Sequence, residues 1–250
     1  MKSRMNSQMN TGTIFGVGLG PGDPDLMSVR ADRLIRNAGH IAFFRKAGRQ
    51  GHARKTVDAM LPEGTVEFAM EYPVTTEIPV SDPAYNKLLA QFYAECSAHL
   101  KKLAEQGNDV VVLCEGDPFF YGSFMHLYTR LKDINPVQVV PAITGMSGAW
   151  TATGMPITWG DDTLVVLAGT LPEDELARRM GDTDALVVMK IGRNFDKVRR
   201  ALTRAGLSDR AWLVEYAAMP NQSVTRLADV GEKVAPYFSI IIVHGQGRRP

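Results

Sequence analysis

Short runs of β-branched and apolar residues alternate with helical stretches along the first 140 residues. These runs predict five strands, at Thr13–Gly18, His40–Phe44, Thr65–Tyr72, Asp109–Cys114 and Val137–Val140. The fourth run, with the sequence DVVVLC, is apolar on both faces, as strands buried within a parallel sheet are. The pattern therefore predicts an α/β domain with a mostly parallel sheet.

Helical periodicity fills the segments between these strands. One apolar stripe predicts a helix near Met27–Ala38, and another predicts a helix around Phe124–Leu131. The clearest helix begins at Asp82, where an N-cap acceptor is followed by Pro83 at the first helical position, and it stops near Gly107. Each helix connects two strands, which is the arrangement that parallel strands require.

The alternation restarts after Pro141. Three more strands are predicted at Thr163–Ala168, Ala185–Met189 and Ala211–Tyr216, and two helices at Pro172–Met180 and Asn194–Ala205. The last third has strands at Ser223–Ala228 and Tyr237–Val243 with little helix between them, which predicts a mixed sheet. We expect two α/β domains, residues 12–142 and 143–247, with a ligand cleft between them.

Composition limits the classes of function. The chain has 250 residues, of which 45% are hydrophobic, and its 28 basic and 27 acidic side chains give a net charge of +1. That balance argues against nucleic acid as a partner of the whole chain. No apolar run approaches the roughly 18–20 residues of a membrane helix. Two cysteines outside any C-x-x-C pair suit a reducing cytoplasm, and the scattered histidines predict no metal site.

A glycine-rich turn, GVGLGPGDP, follows the first strand at Gly16–Pro24. It is not the dinucleotide fingerprint, because the third glycine position is Pro21 when counted from Gly16 and Asp23 when counted from Gly18. It has no Gly-Lys pair for a P-loop. Glycines at this spacing favour close approach of the backbone to a ligand, and a tight strand-to-helix turn is the alternative.

Two further segments follow strands. In Glu115–Ser123, with the sequence EGDPFFYGS, Asp117 suits a ligand acceptor and aromatic residues such as Tyr121 suit a pocket wall. A simple Asp-Pro turn with packed aromatics is the alternative. In Val140–Ala149, with the sequence VPAITGMSGA, small residues allow close backbone approach at the predicted domain joint, and a hinge without a ligand explains them equally well.

A basic segment runs through residues 45–55. It comprises Arg45, Lys46, Arg49, His52, Arg54 and Lys55. No acidic residue lies between Ile41 and Val57, so the segment suits an anionic substrate. A solvated basic loop explains it at least as well, and RNA is a weaker option because few aromatics are interleaved.

Taken together, these segments resemble the tetrapyrrole methylase family, the S-adenosylmethionine-dependent enzymes of cobalamin and sirohaem synthesis. VGLGPGDPDLMSVRA is similar to the family's first-strand loop, CEGDPFFYGS to its Gly-Asp-Pro loop and VPAITGMSGA to its linker. VVMKIG and VEYAAMPNQSV resemble its later cofactor-facing segments. The resemblance covers about residues 14–243. Ala142 departs from it, because most members have glycine there and alanine resists positive φ.

The resemblance implies a homodimer of two-domain chains that holds S-adenosylmethionine as cofactor, with no nucleic acid, membrane or metal as partner. The implied cofactor contacts are Pro21, Gly116, Asp117, Thr144, Gly145, Met189 and Ala217. The substrate is a tetrapyrrole with many carboxylates, which gives the basic segment a purpose and makes Arg45, Lys46, Arg49 and Tyr121 the expected substrate contacts.

A finer likeness lies in EFAMEYPVTTE, CEGDPFFYGSFMHLY and TATGMPITWGDD. It is shared with members that methylate C20 of precorrin-2 to give precorrin-3A. The alternatives are methylation of the same carbon of cobalt-factor II and a non-catalytic, cofactor-binding sensor of the same fold. Methyl transfer from a sulfonium needs no protein nucleophile. The catalytic residues stay unassigned, with Asp117, Asp161 and Asp162 as candidate bases.

Overall fold

The computed structural model describes residues 11–74 and 82–248. It divides into two compact units, of which the first ends at Ile143 and the second begins at Thr144. Three residues of the EFAMEYPVTTE segment, Thr75, Thr76 and Glu77, lie outside the described residues.

The first unit contains an entirely parallel sheet of five strands. The strands are β1 (Ile14–Gly18), β2 (His40–Lys46), β3 (Val66–Tyr72), β4 (Val110–Cys114) and β5 (Val137–Val140). Their order is β3-β2-β4-β1-β5, so β4 and β1 lie at its centre. Every residue of β4 is buried, which confirms the strand predicted from its continuous apolar run.

Helices cover both faces of this sheet. They are α1 (Val29–Arg36), α2 (His52–Thr56), α3 (Pro83–Glu105) and α4 (Phe124–Leu131). One core contains Ala31 of α1 and Ala53 of α2, and the other contains Leu100 of α3 and Leu127 of α4. The start of α3 is as predicted, since the Ala84 N–H donates to the Asp82 carboxylate at 2.8 Å.

The second unit contains a mixed sheet, as expected. Its strands are β6 (Leu164–Ala168), β7 (Ala185–Met189), β8 (Ala211–Glu215), β9 (Ser223–Arg226) and β10 (Ser239–Val243). Their order is β6-β7-β10-β8-β9, in which β10 is antiparallel to both neighbours and β6 is parallel to β7. The strands β6, β7 and β8 therefore point the same way, and their carboxyl ends share one edge.

Three helices complete the second unit. They are α5 (Gly145–Ala152), α6 (Glu173–Met180) and α7 (Phe195–Arg204). The α6 and α7 residues Leu176 and Val198 share one core with β7, while Ala149 of α5 belongs to a separate core. After α7, Gly206 has a φ of +70°, the left-handed conformation that favours glycine beyond a helix end. Across the described parts of the chain, none of the helices has both the length and the apolar character to cross a bilayer.

Candidate functional site

The strand order of the first unit places a topological switch point at the carboxyl ends of β1 and β4. The chain leaves β1 for α1 on one face of the sheet, and it leaves the neighbouring β4 for α4 on the opposite face. Two adjacent loops that diverge to opposite faces leave a crevice outside the strand ends, where α/β proteins bind ligands. The two glycine-containing motifs of the sequence lie on these two loops.

The β1 and β4 loops are joined by backbone hydrogen bonds. The Leu19 N–H donates to the Cys114 carbonyl, and the Gly116 N–H donates to the Gly20 carbonyl, both at 2.9 Å. Gly20 and Gly116 have φ values of +81° and +63°, which glycine adopts without steric cost. This pairing holds both loops in one conformation and leaves bare backbone at the crevice.

Gly18 lies where three segments of the chain meet. A Cβ added to it would lie 2.6 Å from the Ala142 Cβ, 2.7 Å from the Gly116 carbonyl oxygen and 2.9 Å from the Pro118 Cδ. These distances are shorter than van der Waals contact, so a side chain at Gly18 would overlap atoms of all three segments. Glycine at this position therefore lets the segments pack directly on one another, and this packing supports the backbone cradle that the paired β1 and β4 loops form at Gly20 and Gly116.

Asp117 joins the β4 loop to the end of β5. Its Oδ1 accepts a hydrogen bond from the Phe119 N–H at 2.8 Å, and its Oδ2 accepts one from the Ala142 N–H at 2.9 Å. The bond from Phe119 makes the Asp-Pro turn that the sequence offers as the alternative, and the bond from Ala142 adds a contact between loops that the sequence does not reveal. Each carboxylate oxygen still has a second lone pair that can accept from a ligand.

The departure at Ala142 is tolerated without backbone strain. The described non-glycine residues with positive φ are Tyr121, Lys190, Tyr216 and Ala218, and Ala142 is not among them. Alanine therefore fits this point of the chain as it stands.

Aromatic side chains continue the β4 loop. Tyr121 has a φ of +55°, which is rare for a bulky residue, and its side chain is exposed. The Phe119 ring packs edge-on against Tyr128, with the ring centroids 4.8 Å apart. Strained backbone of this kind is common at ligand sites, and the exposed Tyr121 suits the pocket wall that the sequence predicted.

Two arginines of the basic segment are held by carboxylates. Arg45 pairs with Glu71 on β3 at 2.6 Å. Arg54 pairs with Glu67 and Asp58, both at 2.7 Å. These acidic partners come after Ile41–Val57 in the chain. In the folded structure they neutralise part of the positive charge that the sequence of this segment indicates.

Glu115, at the start of the β4 loop, is a further candidate that the sequence did not single out. Its side chain is exposed, yet protein surrounds the carboxylate closely enough to raise its pKa to about 7 through loss of hydration. A hydrogen bond from the Ala53 backbone N–H acts in the opposite direction.

In the second unit, the predicted cofactor residues lie at helix and strand ends. Thr144 is the N-cap of α5, which begins at Gly145, and its Oγ1 accepts from the Ser147 N–H at 3.4 Å. Met189 ends β7, and Ala217 lies two residues beyond β8. Because β7 and β8 point the same way, Met189 and Ala217 lie at the same edge of their sheet.

This edge also carries three of the residues with left-handed backbone. Lys190 follows Met189 with a φ of +57°, while Tyr216 and Ala218, at +53° and +57°, flank Ala217. The Gly169 N–H donates to the Met189 carbonyl at 2.7 Å, which fixes the loop after β6 against this edge. Burial lowers the pKa of the Lys190 ammonium.

The two remaining candidate bases are in different surroundings. Asp162 Oδ2 accepts hydrogen bonds from the backbone N–H groups of Trp159 and Gly247, at 2.9 and 3.2 Å. These bonds hold the C-terminal segment against the loop that contains Trp159 and Asp162. Asp161 is highly exposed and lies 3.4 Å from Arg248. These contacts favour structural roles for both residues.

Neither thiol chemistry nor a metal centre emerges from the described residues. Cys96 and Cys114 are free and buried. Burial raises the pKa of Cys96 to about 12 and that of Cys114 further, so both remain protonated and unreactive at neutral pH. Within residues 11–74 and 82–248, no group of three or more potential ligands could hold a metal ion.

The fold and its strand-end loops define a two-unit α/β protein of the kind that binds small molecules outside the carboxyl ends of its strands. Comparison with known families is more specific. Residues 13–231 match the model of the tetrapyrrole (corrin/porphyrin) methylases. The chain belongs to this family.

Two curated relatives match along nearly their whole length. A precorrin-2 C(20)-methyltransferase of Sinorhizobium is 46% identical over 244 residues, which cover 98% of this chain and all of the relative. A cobalt-precorrin-2 C(20)-methyltransferase of Salmonella typhimurium is 28% identical over 94% of this chain and 97% of its own.

Solved structures share the fold. The crystal structure of a cobalt precorrin-4 methyltransferase has a TM-score of 0.70, with 20% identity over 93% of this chain and 94% of that one. A uroporphyrin-III C-methyltransferase of Thermus thermophilus, complexed with S-adenosylhomocysteine, has a TM-score of 0.65, with 22% identity over 93% and 92% of the two chains. The expected architecture of the family is thereby confirmed.

Proposed function

We propose that this protein transfers one methyl group from S-adenosylmethionine to C20 of precorrin-2, giving precorrin-3A in cobalamin biosynthesis. The observation that carries the proposal is the 46% identity, over the full length of both chains, to the precorrin-2 C(20)-methyltransferase of Sinorhizobium. Membership of the tetrapyrrole methylases supports the reaction class. S-adenosylhomocysteine, with which the related Thermus structure is complexed, is the product that this donor leaves.

The strand-end loops fit the methyl donor. The backbone cradle at Gly20 and Gly116 allows close approach of a ligand to the main chain, which suits a polar nucleoside. We assign donor contacts to seven residues of these loops and strand ends: Pro21, Gly116, Asp117, Thr144, Gly145, Met189 and Ala217. When bound, S-adenosylmethionine supplies a methyl group that is already activated by its sulfonium charge.

The protein's own contribution is orientation and exclusion of water. A near-attack geometry of about 3–3.5 Å between the reacting atoms can supply roughly 7–11 kcal/mol of the barrier in well-oriented cases. The hydrogen bonds of Asp117 and the Gly20–Gly116 pairing hold the loops that would set this geometry. No nucleophilic side chain is needed, and the protonated state of the buried thiols is consistent with that.

The basic segment and Tyr121 are assigned to the tetrapyrrole, whose carboxylates need cationic partners. Arg45 lies at the carboxyl end of β2, next to β4, and Lys46 and Arg49 follow it. Arg54 is assigned a structural role because two carboxylates hold it.

Replacing Arg45, Lys46 and Arg49 together with glutamine is expected to raise the KM for precorrin-2 about tenfold or more, and to leave the Kd for S-adenosylmethionine unchanged. Loss of even one exposed charge–carboxylate contact is worth up to about 1 kcal/mol, and three add up when they act on one ligand. Steady-state kinetics at low salt measure the effect. A wild-type KM in the triple variant would show that the basic segment is a solvated loop that does not bind the substrate.

Cobalt-factor II, the cobalt-containing counterpart, is the second candidate substrate. The 28% identity to the cobalt-precorrin-2 C(20)-methyltransferase of Salmonella typhimurium supports a cobalt-containing ring as substrate. Initial rates with precorrin-2 and with cobalt-factor II, at equal concentrations under nitrogen, separate the two. We expect the metal-free ring to be methylated at least tenfold faster. A faster rate with cobalt-factor II would show that the cobalt-containing ring is the preferred substrate.

We further infer that the protein acts as a homodimer in a reducing cytoplasm. The family resemblance supports the dimer, and the two free, buried thiols suit a reducing compartment. Sedimentation equilibrium should give twice the chain mass of 27.4 kDa, and a monomer mass would contradict the inference.

A further inference from the structure

Glu115 lies at the carboxyl edge of the first sheet. It follows the last residue of β4 and precedes Gly116, which is bridged to Gly20. In the parallel pairing of β2 and β4, Phe43 lies opposite Leu113. Arg45 and Glu115 are each two residues further along, so they occupy corresponding positions at the carboxyl edge of the sheet. The carboxylate therefore stands beside the backbone cradle assigned to the donor and at the same edge as the first residue assigned to the tetrapyrrole.

A second contact ties Glu115 to the basic segment. Its carboxylate accepts a hydrogen bond from the Ala53 N–H, and Ala53 lies on α2 between His52 and Arg54. A carboxylate has about four lone-pair sites, so this bond orients the group and leaves it able to take a proton. The side chain is also exposed, as a group that meets a substrate must be.

Three other carboxylates of the first unit have fixed partners. Asp117 accepts from two backbone N–H groups that join two loops. On β3, Glu71 and Glu67 are paired with arginines of the basic segment. Asp162 holds the C-terminal segment of the second unit. Glu115 combines solvent access with a single orienting backbone contact.

The proposed reaction requires a base. When the C20–methyl bond forms, the sulfur–methyl bond breaks and its electron pair stays on sulfur. C20 then carries both a hydrogen and the methyl group, and the ring has gained one positive charge. The C20–H bond must break, its electrons must return to the conjugated ring, and the proton must leave to a base.

We propose that Glu115 is the catalytic base that takes the C20 proton after methyl transfer. This inference rests on the proposed function. The group's raised pKa, about 7, is consistent with it, because a base works best when its pKa lies near the operating pH. The titratable and charged groups on the elements next to the β4 loop are His52, Arg54 and Lys55 on α2 and Arg45 on β2, and Asp117 lies on the same loop.

The test uses full-length protein and precorrin-2 deuterated at C20. For Glu115→Gln we expect a fall in kcat of about 100-fold or more, the size of a general-base contribution. The Kd for S-adenosylmethionine and the melting temperature should stay at wild-type values. A deuterium isotope effect on product formation should appear in Glu115→Gln, because proton removal becomes slow, whereas the wild type should show little.

Glu115→Ala provides a second variant with its own readout. Acetate at high concentration should restore part of its rate, because a small carboxylate can occupy the space of the missing base. Glu105→Gln is the matched control. Glu105 ends α3 next to Ala104, whose carbonyl accepts from the Gly12 N–H at the opposite end of the sheet, so this variant should behave like the wild type.

The outcomes separate the inference from the proposed function. Absence of methylation by the wild-type protein would contradict the proposed function itself. An active wild type with equally active Glu115→Gln and Glu115→Ala variants would overturn the role of Glu115. The role of Glu115 would also be overturned if Glu115→Gln were slow but showed no isotope effect and bound the donor weakly, and if acetate did not restore the rate of Glu115→Ala. Those results together would indicate that Glu115 is a structural residue.

Discussion

Gly18→Ala is expected to destabilise the protein by about 1–3 kcal/mol and to weaken donor binding at least tenfold. The added methyl group would lie 2.6–2.9 Å from Ala142, Gly116 and Pro118. Two of the contacting atoms belong to the Gly116 backbone and the rigid Pro118 ring, so the overlap can be removed only by movement of the chain. Overpacking of a close-packed site typically destabilises a protein by about 1–3 kcal/mol. The same movement displaces the loops assigned to the donor.

Urea unfolding and isothermal titration with S-adenosylmethionine measure the two effects of Gly18→Ala. Gly39→Ala is the matched control, because a Cβ at Gly39 meets nothing within 4 Å. We expect that control to stay within about 0.5 kcal/mol of the wild type, as surface substitutions do. Wild-type stability together with wild-type donor affinity in Gly18→Ala would show that the cradle is not needed.

Asp117→Ala is expected to lower kcat and donor affinity together, each by tenfold or more. The substitution leaves the N–H groups of Phe119 and Ala142 without their charged acceptor. Hydrogen bonds to charged groups contribute about 1.5–3 kcal/mol, so the β4 loop loses its connection to the end of β5. Because the donor and the reacting carbon must be aligned to within a fraction of an ångström, the loss reaches catalysis as well as binding.

Asp117→Asn gives a graded comparison with the alanine variant. The amide keeps one oxygen acceptor for Phe119 but presents an NH₂ group to the Ala142 N–H, so we expect an intermediate loss. Asp133→Asn serves as a control, since Asp133 is highly exposed and its partner among the described residues is its neighbour Lys132, at 3.4 Å. Unchanged donor affinity in Asp117→Ala, measured by titration calorimetry, would contradict the assigned role.

Local pattern was sufficient to predict the strands and most of the helices. Strand β4 follows from five consecutive apolar residues, and α3 follows from the Asp82-Pro83 start. Helix α2 was not predicted, because it is short, strongly basic and buries only Ala53. Helix α5 was missed for a different reason, since its small residues are equally typical of a hinge.

The motifs place the predicted site on the strand-end loops, but contacts between distant residues could not be derived from the chain. Asp117 was identified as an acceptor, yet its partner Ala142 lies 25 residues away and is reached only through the pairing of β1 with its neighbours. The pairing of Arg45 with Glu71 likewise depends on the β2–β3 register. The signal for Glu115 was its place between a buried strand and Gly116, but its pKa depends on surrounding protein that periodicity does not reveal.

The position of the transferred methyl group tests the proposed reaction most directly. The protein would be incubated anaerobically with precorrin-2 and S-adenosylmethionine carrying a ¹³C-methyl group, and the product analysed by mass spectrometry and carbon NMR. We expect the addition of one methyl group, with the label attached to C20. A label on any other carbon, or donor binding without transfer to precorrin-2, would contradict the proposed reaction.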